Sequence, residues 1–120
     1  MTQLHALALT LGIEGVIGGL LVRTWWALRG ATLLRAIVVI VAASLLTHPL
    51  AWTANRQWLG SLPFPIRAAI IELTVTLVEA TILALALGRA TGMQPSWWRC
   101  ATVSLCMNAA SFGYGLWRLS

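Results

Sequence analysis

Only three residues in this 120-residue sequence are acidic, Glu14, Glu72 and Glu79, and each falls inside an apolar run. An ionisable group in hydrocarbon costs about 3 kcal/mol on insertion scales, so an intramembrane carboxylate reads first as a functional group whose partner must be named. Glu72 and Glu79 are seven residues apart, two helical turns, which places them on one helix face with Thr76 between them. Counted inward from the same end of neighbouring runs, His48 and Glu72 lie at nearly equal depth. They are expected to meet across a hairpin, either as a pair that binds a proton, a metal ion or a ligand head group, or as a hydrogen bond that fixes two helices. Glu79 lies deeper, where Arg35 is the nearest plausible counter-charge unless it snorkels to the headgroups.

Ser104, Asn108, Ser111 and Gly115 recur at i, i+4, i+7 and i+11, one continuous stripe of the last run. Small residues let helix backbones approach and an amide in hydrocarbon needs a partner, so the stripe predicts a helix-packing seam. Gly15 and Gly19 predict the same on the first run, beside Glu14. The other reading has Asn108 and Glu14 lining a polar cavity. His48 alone could ligate the metal of a tetrapyrrole through a neutral imidazole, because His5 lies near a run end and offers no facing partner. No cofactor is required by the sequence, and a single His48-ligated pigment is the one option it leaves open.

Nucleotide-binding loops, His-Glu-x-x-His and Gly-x-Ser-x-Gly are all missing. Two histidines and three glutamates are thin material for an intramembrane protease or a metal centre, so no catalytic set and no metal site is assigned. Cys100 and Cys106, six apart, fall on different faces of a helix and read as small apolar fillers.

The elements that must position these side chains are four apolar stretches, at about 4–22, 31–53, 66–87 and 97–117. Each approaches the roughly 20 helical residues needed to cross a hydrocarbon core of about 30 Å. Pro49 falls in the last turn of the second; Leu62-Pro63-Phe64-Pro65 breaks the chain before the third, and Gly92-Met93-Gln94-Pro95-Ser96 before the fourth. The first lacks a positive leader region and a small-residue cleavage site, so it reads as a mature helix, not a signal peptide. Connections this short force consecutive helices to be antiparallel neighbours. The fold class is therefore an all-α integral membrane protein, four transmembrane helices in an up-and-down bundle over 1–120 with short loops.

Composition agrees: 59% of residues are hydrophobic and 9% charged, too few charges to cover a water-facing surface, where soluble domains carry about 25%. The net charge of +5 comes from arginines spread over the run ends, which argues against a nucleic-acid partner. Trp25, Trp26, Trp52, Trp58, Trp97, Trp98 and Trp117 also fall at ends or in connections, where the membrane interface selects indole and guanidinium. Arg23, Arg29, Arg35, Arg89 and Arg99 flank the first and third connections, against Arg56, Arg67 and Arg118 on the other side. The positive-inside rule then puts both termini outside the cytoplasm. Arginine without lysine suggests a GC-rich bacterial genome, hence a bacterial inner or other energy-transducing membrane.

With no extramembranous working part and many intramembrane polar groups, the sequence points first to an accessory or scaffold subunit of a larger membrane complex, such as a respiratory or photosynthetic assembly. Its partners would be lipids and other subunits, or copies of itself. Two other classes fit: an oligomeric proton, ion or small-solute carrier using the glutamates, and a lipid-modifying enzyme or cofactor-binding module centred on His48 and Glu72. No enzyme motif supports the last.

Overall fold

The computed structural model describes residues 2–92 and 94–119. Met93, in the expected third connection, and the side chain of Arg118 lie outside that set. The described residues form four helices, α1 (Gln3–Trp25), α2 (Gly30–Thr53), α3 (Phe64–Thr91) and α4 (Trp97–Leu119), with a π-helical turn at Ala54–Trp58 following α2. Consecutive helices touch, α1 and α4 also touch, and the diagonal pairs do not. The four therefore stand in a ring, in chain order.

The helices outrun the apolar stretches because charges end an apolar run without ending a helix. α1 starts at Thr2, whose side chain caps the backbone N–H of His5, and passes Arg23. α3 begins behind Pro63, with Pro65 in its first turn where a missing N–H does no harm. It passes Arg89 and stops at Gly92, which takes the left-handed φ of 74° that a C-terminal glycine supplies at little cost. α2 runs through Pro49 and ends in the π turn, closed by a hydrogen bond from the Leu59 N–H to the Ala54 carbonyl.

Three elements are long and apolar enough to cross a membrane: α1, α2 with its π turn, and α3. α4, expected to be a span of the same kind, is 23 residues long but is not among them. Its length suffices; its composition does not, because Arg99, Ser104, Asn108 and Ser111 interrupt it and tryptophan adds little hydropathy. The bundle measures 44 × 23 × 18 Å, and its long axis matches a bilayer with its headgroup regions, about 40–45 Å.

Tryptophan and arginine mark the two ends. At one, Trp97 and Trp98 meet edge to face at 5.1 Å and Arg99 lies over Trp25 at 5.6 Å. At the other, Arg56 lies over Trp52 at 5.0 Å. The half of the bundle nearer Trp25 and Trp98 holds a closely packed apolar core that includes Val22, Ile40, Leu83, Leu87, Val103 and Met107. Gly15 and Gly19 bring α1 against α2, at Val41 and Ile37 respectively. Gly18 makes the tightest approach: a Cβ there would collide with Met107 and stand 3.0 Å from Ile40.

Candidate functional site

Midway along the bundle the apolar core gives way to a layer of polar side chains. Glu14 on α1 is 2% exposed and Glu79 on α3 is 1% exposed, so each must find its partners within the protein. Glu14 accepts hydrogen bonds from the hydroxyls of Ser44 on α2 and Ser111 on α4, the latter at 2.8 Å. Glu79 accepts from Thr47 on α2 at 2.6 Å, and from Ser104 and Asn108 on α4 at 3.0 and 2.9 Å. These donors are neutral, and among the described residues no cation contacts either carboxylate.

The arrangement is regular. Each glutamate comes from one of a pair of diagonal helices and is clasped by both of the helices between them. Glu14 uses Ser44 and Ser111; Glu79 uses Asn108 and Thr47. From Glu14 to Glu79 is 65 positions, and from Ser44 to Asn108 and from Thr47 to Ser111 is 64 each. The hairpins α1–α2 and α3–α4 thus contribute a carboxylate and its donors from corresponding positions, with Ser104 an additional donor on Glu79. Few residues match between the halves, which is why no repeat stands out in the sequence.

Above this layer, toward the α2–α3 connection, lies a cavity of about 270 Å³. Glu14, Glu79, Asn108 and Ser111 line it at mid-bundle, while Asn55, Phe64 and Leu116 line it at the bundle end. Between them come His48, one turn before Trp52, and Glu72, two turns from Glu79 on the same face of α3. Phe64 and Phe112 stack at 6.2 Å beside it. Glu72 takes no hydrogen bond or ion pair from the described residues. The buried Nε2 of His48 has no partner either, nor has the Thr76 hydroxyl. Such groups are costly to leave unmade and mark where a ligand or ordered water belongs.

Several expected partnerships are arranged otherwise. His48 and Glu72 share the cavity but form no hydrogen bond with each other; the His48 ring lies 6.2 Å from Trp52 instead. Arg35 does not meet Glu79. It is exposed, and it stands twelve residues from Thr47, the α2 residue that does meet Glu79, about 18 Å along the helix. The α4 stripe packs as a seam only in part: Ser104, Asn108 and Ser111 donate to carboxylates, and Gly115 has open space where a Cβ would be and lines the cavity. Among the described residues no group of three or more His, Cys, Asp or Glu is placed to hold a metal ion. Cys100 is buried and Cys106 exposed.

Sequence reasoning missed Ser44 and Thr47. They stand three apart, Ser44 one turn before His48 and Thr47 next to it, on the face that looks at the glutamates, but hydroxyls on helices commonly bond to their own backbone, as Thr53, Thr74 and Thr81 do here. The signal lay only in their shared face. No family model, curated protein or solved structure matches the chain.

Proposed function

We infer that all four helices cross the bilayer and that the protein is a small intramembrane binding module or carrier for a proton, a cation or a small solute that donates hydrogen bonds. α4 crosses despite its polarity because its stripe faces Glu14 and Glu79 inside the ring, leaving its apolar side chains for lipid. The observation that carries the reading is the contrast between carboxylates. Glu14 and Glu79 are engaged by the protein's own donors, whereas Glu72 and His48 line the same cavity without partners. A solute that reaches Glu72 would find an acceptor there and the two engaged carboxylates beneath it. The apolar half behind them closes the route, so passage would require that half to open.

The test is flux of protons and small cations into liposomes containing the purified protein. Loss of flux in Glu72→Gln, with the same detergent-extracted size as the parent, is the expected result; flux indifferent to Glu72 counts against it. The accessory-subunit reading drew on polar groups in excess of what four helices need. Glu14, Glu79, Ser104, Asn108 and Ser111 satisfy one another inside the bundle, so that reading now leans on Glu72 and His48. Gentle extraction from the native membrane decides between them: fixed stoichiometry with other membrane chains favours a subunit, a homo-oligomer favours a carrier.

A further inference from the structure

A second concavity lies on the outside of the α2–α3 pair. Its volume is about 280 Å³, and its wall is formed by Leu50, Ala54 and Trp58 on one side and Ile70, Thr74 and Val78 on the other. Ile70, Thr74 and Val78 follow each other at one-turn spacing along α3, so the groove runs along the helix axis. Its wall is almost wholly apolar, since the Thr74 hydroxyl is turned back onto the Ile70 carbonyl at 2.8 Å.

Arg67 stands one helical turn beyond Ile70 on that line. Three contacts fix it: its Nη1 reaches the Gly60 carbonyl at 3.4 Å, its guanidinium lies 5.6 Å over the Phe64 ring, and its backbone N–H bonds the Pro63 carbonyl. Its Nε–H is buried and has no hydrogen-bond acceptor. A guanidinium held in place with a buried donor left over is suited to an oxyanion. The anion would also sit in the first turn of a 28-residue helix, at the positive end of its dipole.

An apolar trough one helix-face wide, with a cation beyond its bundle end whose Nε–H lacks an acceptor, has the amphipathic pattern of a phospholipid. We propose that the α2–α3 groove is a specific phospholipid site, with an acyl chain along Leu50, Trp58, Thr74 and Val78 and the phosphodiester on Arg67. This site is separate from the carboxylate cavity, and the two share only the wall between them, formed by Thr47, Ala51, Ile71 and Val75.

Native mass spectrometry of the detergent-purified protein tests it, with phosphatidylglycerol, diacylglycerol of the same chains, or glycerol 3-phosphate added at equal concentration. The expected result is one phosphatidylglycerol retained per chain, at least tenfold more than either fragment molecule. Arg67→Gln is expected to lose that preference and Arg67→Lys to recover part of it. Equal retention of diacylglycerol by the unaltered protein would overturn the proposal, because the groove would then be reading chains and not phosphate. Retention of glycerol 3-phosphate at the phospholipid's level would overturn it too, as would a dimer that forms and releases lipid. The comparison of lipids on the unaltered chain needs no variant to fold.

Discussion

At the scale of single residues, the two mid-bundle glutamates differ in how many donors they take, and this sets what each tolerates. Glu79 accepts three hydrogen bonds from other helices. Interhelical hydrogen bonds in membrane proteins are worth about 0.6 kcal/mol each on average and at most about 1.7. Glu79→Gln keeps the shape but puts an amide N–H₂ in place of one carboxylate oxygen, so either Thr47 or the Ser104 and Asn108 side chains must turn from donor to acceptor, and Asn108 does so only by flipping its amide away from the Ser104 carbonyl. It should lower stability by about 1–2 kcal/mol, read as an earlier unfolding transition in detergent. Glu72→Gln, at a carboxylate that holds no protein donor, should leave the transition within about 0.5 kcal/mol of the parent. Equal losses in the two variants would contradict the hydrogen-bond assignment. The acids and Asn108 were legible in the sequence because hydrocarbon makes such residues rare. Which hydroxyls serve them was not, since serine and threonine are tolerated on every helix face.

At the scale of helices, the four elements and the breaks between them were legible from apolar runs, proline and glycine, although the helices run past the ends of those runs, whereas the π turn after α2 was not legible. Nothing in Ala54-Asn55-Arg56-Gln57-Trp58 distinguishes it from one more turn of α-helix, yet Asn55 within it lines the cavity. The glycines divide in the same way. Gly15 and Gly19 stand out by their spacing, but the closest helix contact belongs to Gly18, where α1 meets Ile40 of α2 and Met107 of α4. Gly18→Val should cost about 1–3 kcal/mol by overpacking, and Met107→Ala in the same chain should return part of that loss. Gly12→Ala should be neutral, because a Cβ there meets nothing within 4 Å. A thermal-denaturation series in one detergent checks all of these together.

At the scale of the whole molecule, each hairpin's carboxylate takes a donor from the other hairpin as well as from its own. Glu14 needs Ser111 from α4, and Glu79 needs Thr47 from α2. Cutting the chain in the α2–α3 connection and expressing residues 1–60 and 61–120 together should therefore yield a complex that co-purifies through a tag on either piece. Either hairpin expressed alone should aggregate or be degraded. The proposed crossing of all four helices carries a topology with it: residues 2 and 119 would then lie on one side, the side that the positive-inside rule, applied to the arginines, puts away from the cytoplasm. Protease should remove tags at both termini from the outside of intact cells; protection of one tag alone would mean that α4 does not cross.

Glu14 lies near the middle of α1, between Gln3 and Trp25, with the apolar core filling the half of the bundle beyond it. A charge that descends the cavity to this level travels about halfway through the membrane's electric field without leaving the side it came from. Full crossing is worth about 2.3 kcal/mol per elementary charge for each 100 mV, so half of it is worth about 1 kcal/mol. On the proposed binding role, occupancy of the cavity by a charged species would therefore depend on membrane voltage, and the closed half of the bundle would make a small protein responsive to the energy state of the membrane that holds it.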